Sequence, residues 1–173
     1  MDIFCEYMVK RKKTGMDILY EFLCIFMALC LSACVFLFLF GRLFGFEVFE
    51  IAAIWYFAVR LLGKTNVEYE YILTNNVLDF DRIMSKKTRK RIISIDFAQV
   101  EEMRYATERD KDRNVPFKTL DMSGDLAEDG VYYIDFSKDG EKCRAFFKPN
   151  AKILKNLQSL NPRKVSVRAE DME

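Results

Sequence analysis

The chain is expected to adopt an α+β fold, a transmembrane helical hairpin followed by a small, bent antiparallel sheet that a C-terminal helix closes. Three observations predict it. From Ile18 to Phe40 the chain is apolar apart from Glu21. After Lys64 continuous apolarity gives way to alternating runs broken by Asn-Asn and Asp-Gly turn signals. The last apolar stripe, Ile153, Leu154, Leu157 and Leu160, returns to helical spacing.

Residues 1–17 form a cytoplasmic, basic N-terminus. Ile3, Phe4, Tyr7 and Met8 suggest an amphipathic turn or two lying on the inner surface, and Lys10-Arg11-Lys12-Lys13 follows. Residues 18–62 form the hairpin. Its first span is long enough to cross the roughly 30 Å hydrocarbon core. The second, Phe44 to Leu62, carries Glu47 and Glu50 at its entry and Arg60 at its exit, where charge is less costly. Glu47 and Glu50 share a helix face of the kind that binds a cation or relays protons, but an interfacial location explains them without any function. Gly41 and Gly45 bracket the connection. Basic residues flank the outer ends of both spans, so both termini face the cytoplasm of a two-helix, multi-pass cell-membrane protein. Leu31-Ser32-Ala33-Cys34 matches a bacterial lipobox, which would lipidate Cys34 and turn the domain outward. Val35 to Phe40 stay apolar where a processed lipoprotein turns polar, so uncleaved anchoring is expected.

Residues 67–160 form the sheet domain. Val67, Tyr69, Tyr71 and Leu73 alternate on one strand, Asn75-Asn76 makes the turn, and Val77 to Ile83 returns. A polar tip from Ser85 to Arg91 precedes a strand over Ile92–Ile95, with a weaker one over Gln99–Tyr105. Ala106 to Gly130 reads as a long mobile loop with a short strand near Phe117–Leu120. Tyr132–Ser137 and Cys143–Phe147 form a second hairpin through Asp139-Gly140. Asn150 caps the closing helix, Asn161-Pro162 ends it, and residues 161–173 form a flexible tail.

The run Tyr71-Ile72-Leu73-Thr74-Asn75-Asn76, the strand and basic stretch after it, Arg91-Ile92-Ile93-Ser94-Ile95 and Val100-Glu101 resemble bacterial pleckstrin-homology-like (PH-like) domains. In that family a Tyr-x-[Ile/Leu]-Thr strand follows directly on two N-terminal transmembrane helices. The resemblance implies a PH-like antiparallel sheet or partial barrel, closed by the helix, at the cytoplasmic membrane face. It implies little chemistry. The chain departs from the pattern in its long charged loop and in showing fewer strands than the fold needs. Phosphoinositide-binding members place cations around the first hairpin. Here that hairpin ends in Asn75-Asn76, so their site is not carried over.

Composition narrows the function. Histidine is absent, which removes Ser-His-Asp and Cys-His nucleophile pairs and imidazole metal sites. The five cysteines form no CxxC pair, and Cys143 reads as a strand residue. Among the acidic loop residues Asp110, Asp112, Asp121, Asp125, Glu128 and Asp129, the run Asp110-Lys111-Asp112-Arg113-Asn114 lacks the glycine and terminal glutamate of a calcium loop, and a solvated, mobile loop is expected. No Gly-rich phosphate loop is present. No catalytic residue, metal ligand, cofactor or cofactor-binding residue is expected, and the protein is read as non-enzymatic. A net charge of +1, with no aromatics interleaved among the cations, argues against nucleic acid. Lys86, Lys87, Arg89, Lys90 and Arg91 are candidate contacts for anionic lipid or an acidic partner, the alternative being a solvated hairpin tip. The chain therefore reads as a membrane-anchored binding or scaffold module, its partners membrane lipids and a protein partner or second copy. The alternative is an accessory subunit of a membrane transport or other complex.

Overall fold

A computed structural model describes residues 3–39, 45–111, 118–138 and 140–172. The expected connection at Gly41-Arg42, the loop from Asp112 to Phe117 and the turn residue Asp139 lie outside the described residues. The chain divides into two compact units. One holds residues 1–12, 68–83 and 88–173; the other holds 13–67 and 84–87.

The first unit begins with a strand where the sequence suggested an amphipathic turn. β1 (Phe4–Lys10) pairs antiparallel with β2 (Val67–Thr74), in a register running from Phe4 opposite Thr74 to Lys10 opposite Glu68. Spacing alone admits either form, because Cys5, Tyr7 and Val9 also alternate. The partner that selects the strand lies beyond both helices, where no local pattern reveals it. β3 (Val77–Met84) and β4 (Thr88–Asp96) complete a sheet of order β1-β2-β3-β4. The two-residue turn between β2 and β3 places Asn75 at φ 52°, a conformation asparagine tolerates. Asn75 also receives the Ile3 N–H on its side-chain oxygen at 3.0 Å, tying the start of β1 to this turn.

The second sheet has the order β5-β7-β8-β6, from β5 (Val100–Tyr105), β6 (Lys118–Asp121), β7 (Tyr132–Lys138) and β8 (Glu141–Phe147). β7 and β8 form the expected hairpin, whereas β6 runs parallel to β8. A bulge between Val100 and Glu102 shifts the alternation so that Val100 and Met103 both face inward. Each sheet keeps its own strands; no closed barrel forms among the described residues. Tyr71, Leu73, Phe80, Ile134, Phe136 and Phe147 fill the space between the sheets. Tyr71 is fully buried, edge-on to Phe80 and Phe147. Its hydroxyl donates to the Met122 carbonyl at 2.6 Å and accepts the Lys148 N–H at 3.2 Å, so one side chain of the first sheet satisfies the backbone of the second.

The closing helix α3 (Ala151–Leu160) is capped by Asn150, whose side chain accepts the Ile153 N–H at 2.9 Å. It buries Ile153, Leu154 and Leu157. The expected flexible tail is instead pinned through residues 164–172. Met103 exchanges backbone hydrogen bonds with Lys164 and Ser166 at 2.9 Å, extending the sheet beyond β5. Arg168 then lies over the Tyr105 ring at 3.6 Å and pairs with Asp129 and Asp171. Val165 is buried, and that burial together with these paired charges holds a segment that composition alone marks as solvated.

The second unit packs α1 (Gly15–Leu39) against α2 (Glu47–Leu62) through the buried small residues Ala28 and Ala58. Its 3-10 turn at Gly63–Thr65 leads into β2. α1 is long and apolar enough to cross a membrane. α2 has 16 residues, roughly 24 Å of helix, and falls short of the same length criterion.

Because β1 supplies one edge of the first sheet, a fragment beginning at Lys64 has an incomplete domain. Such a fragment is expected to be less stable than the full chain and prone to self-association through the exposed edge of β2. Adding a peptide of residues 3–12 should raise its melting temperature in a concentration-dependent way, measured by scanning fluorimetry. No change at saturating peptide would contradict the pairing.

Candidate functional site

The basic segment divides in two. The turn between β3 and β4 is confined to Ser85–Lys87, with Ser85 and Lys86 in the left-handed region at φ 53° and 55°. Arg89, Lys90 and Arg91 belong to β4, so the expected tip from Ser85 to Arg91 is shorter than its composition suggests.

The turn is fastened to the end of α2. Ser85 donates its N–H to the Asn66 carbonyl at 2.9 Å and its hydroxyl to the Gly63 carbonyl. A Cβ at Gly63 would sit 2.7 Å from the Ser85 hydroxyl oxygen, so a larger residue there would displace that hydroxyl from the Gly63 carbonyl. Thr65, two residues on, donates to Glu21 of α1, and Lys13 holds the same carboxylate at 2.5 Å. The single acidic residue of the apolar run is therefore neutralised where both helices meet the turn. Lys64, Lys86 and Lys87 are exposed around this junction.

The arginines are committed elsewhere. Arg89 meets Glu70 at 2.6 Å, and Arg91 meets Asp79 and Asp81, each at 2.8 Å. Both partners Glu70 and Asp81 are buried, so these pairs tie β4 to the adjacent β3 and, across it, to β2. Lys86, Lys87 and Lys90 make no ion pair among the described residues. The five-cation cluster thus reduces to three available charges.

Glu70 carries a second feature that sequence reading missed. Its side chain is only 1% exposed. Burial first, then a hydrogen bond with Glu6 of β1, push its carboxyl up to about 7 against the opposing pull of Arg89. Asp81 of β3 adds to the negative field. The β1–β2 register sets Glu6 opposite Ile72 and Glu70 opposite Met8, so the two carboxylates are diagonal neighbours across strands that lie far apart in the sequence.

The other candidates resolve into structural roles. Asp110 accepts from the Thr107 N–H and hydroxyl; Asp121 accepts both donors of Ser123; Asp125 caps Ala127 and pairs with Lys12 at 2.8 Å. Glu128 pairs with Lys148, and Asp129 with Tyr105 and Arg168. These carboxylates order the segment around β6, which was expected to be mobile. Their N–H and cation partners replace the solvent that composition implied. No group of three metal-ligating side chains converges among the described residues. Glu47 is buried while Glu50 is exposed, so the two do not form one site. Cys143 is buried in β8, and Cys34 lies inside α1 with helix continuing to Leu39.

Two four-stranded sheets enclosing one core, with an amphipathic helix packed into it, fit a PH-like domain. The chain matches the model of the family described as Bacterial PH-like domain (DUF6106) over residues 1–167, and it belongs to that family. The match includes β1 and both helices, extending beyond the stretch the sequence motifs cover. No curated protein matches the chain.

Two outcomes follow for this network. Arg89→Gln strands the buried Glu70 carboxylate and should cost about 1–3 kcal/mol in denaturant unfolding, whereas Lys86→Gln and Lys87→Gln should each change stability by less than about 0.5 kcal/mol. For pH, the folded value of Glu70 lies above its ordinary 4.5. The folded state therefore binds the extra proton, and this contribution is complete below about 4.5 and lost as pH rises through about 7. Glu70→Gln, which stays neutral, should flatten the decline in stability over that window; an unchanged slope would assign the decline to other groups.

Proposed function

We propose that the protein is a non-enzymatic, membrane-anchored docking module. Its helix pair crosses the bilayer twice, both termini face the cytoplasm, and its PH-like domain docks a protein partner or the inner leaflet. The observation that carries this reading is the pairing of β1 with β2. β1 precedes both helices and β2 follows them, yet they are adjacent strands of one sheet. If α1 crosses the membrane, α2 must bring the chain back before that sheet can form.

The surface of α2 supports the return. Val48, Phe49, Phe57 and Val59 are all exposed apolar side chains, a surface that favours an apolar environment over water. A helix shorter than the hydrocarbon core is accommodated by local bilayer thinning and by flanking residues that reach the interface. Arg60 is placed for this in the last turn, with its guanidinium donating to the Tyr56 hydroxyl at 3.2 Å. Lys10 to Lys13 before α1, and Lys64 with Lys86 and Lys87 after α2, put the positive charge on one side.

Reporter fusions at both ends of the full chain test the topology. Fusions before Met1 and after Glu173 should both be active in the cytoplasm and inactive outside it. A C-terminal fusion active outside the cytoplasm would overturn the double crossing and restore Cys34 as a lipidation candidate.

A further inference from the structure

α1 and α2 touch through Ala28 and Ala58, and beside that contact they leave an open groove of about 580 Å³. Tyr20, Cys24 and Leu31 line it from α1, and Ile54, Phe57 and Leu61 from α2. The volume falls within the roughly 300–1,000 Å³ of small-molecule sites. From Tyr20 to Leu31 the groove follows roughly 16 Å of helix. That is about half of the ~30 Å hydrocarbon core, the depth of one leaflet.

The two ends of the groove differ. Leu31 and Ile54 lie at the apolar end. Tyr20 and Leu61 lie at the other, next in sequence to Glu21 and to the Gly63–Thr65 turn. The Ser85 clamp brings Lys86 and Lys87 to this same turn, and Lys64 is part of it. The nearby Glu21 carboxylate is held by Lys13 and Thr65, which reduces its repulsion of an approaching anion.

We infer that the α1–α2 groove and the lysines at its mouth bind one anionic phospholipid of the inner leaflet. The acyl chain runs along the groove, and the headgroup phosphate meets Lys64, Lys86 and Lys87. This rests on the double crossing proposed above, which sets that end of the groove at the cytoplasmic face. A second copy's transmembrane helix would need a groove along the full span; this one has the depth of a single leaflet. A free phosphate ion would use the lysines and leave the apolar lining without a role.

Native mass spectrometry of the full chain in mild detergent tests the site, with phosphatidylglycerol or phosphatidylcholine added. The expected result is one retained phosphatidylglycerol per chain, with phosphatidylcholine retained about tenfold less or weaker. The triple variant Lys64→Gln, Lys86→Gln, Lys87→Gln should lose that preference. Cys24→Trp and Leu31→Trp, each filling the groove from a different turn with every cation intact, should lose the adduct. Circular dichroism of both variants confirms that the helices persist. Retention of phosphatidylglycerol by both Trp variants at the wild-type level would overturn the groove site, as would a lipid-free dimer or a ladder of adducts indifferent to headgroup. Loss of the site with the reporter topology intact would leave the docking module standing. A failed reporter topology would remove the premise on which the site rests.

Discussion

The pairing of β1 with β2 is the constraint on which the remaining structure depends. It joins two segments separated by the whole helical pair, in a continuous seven-residue register. Cys5 and Tyr7 enter the core from that register, Tyr7 standing 6.2 Å from Tyr71 between ring centroids. Closing so long a connection costs little more than closing a short one, because loop entropy grows only with the logarithm of length. An inserted helical hairpin is therefore compatible with a stable sheet. The close approach of Gly124 to the Lys10 carbonyl fixes the far end of β1: a Cβ there would lie 2.8 Å from that oxygen, and φ is +89°.

The elements legible in sequence were those whose determinants are local. The Asn75-Asn76 turn, the β7–β8 hairpin and α3 with its Asn150 cap all carry their signals within a few residues of one another. β1 did not, since Ile3, Phe4, Tyr7 and Met8 fit a helical face until β2 is placed beside them. The short strand expected near Phe117–Leu120 is β6, but its parallel pairing with β8 and the tail bridge at Val165 share this difficulty. The site was legible only as composition. Lys86 and Lys87 were visible as charge, but the Ser85 clamp that places them at the end of α2 depends on Gly63 and Asn66, which are ordinary residues in isolation. Nothing local marks Glu70 as buried, since it falls between the alternating residues Tyr69 and Tyr71.

Charge on the first sheet serves cohesion more than recognition. Glu70, Asp79 and Asp81 draw Arg89 and Arg91 onto their own strands. A buried carboxylate without its partner is strongly unfavourable, so these arginines are fixed in place. The lysines of the turn have no such obligation. Arginine suits the first role through its planar, multi-donor head, and lysine suits a diffuse electrostatic contact. The division of residue types within one short segment follows that difference.

The strap formed by residues 164–166 has a consequence set by geometry outside the domain. β5 would otherwise end the second sheet as an open row of backbone donors and acceptors. In the membrane-anchored arrangement proposed above, copies diffuse in two dimensions with a common orientation, so identical edges meet more often than in free solution. Met103, bonded on both sides of its peptide to Lys164 and Ser166, offers no such edge to a neighbour. In that arrangement the strap keeps neighbouring copies from pairing along β5.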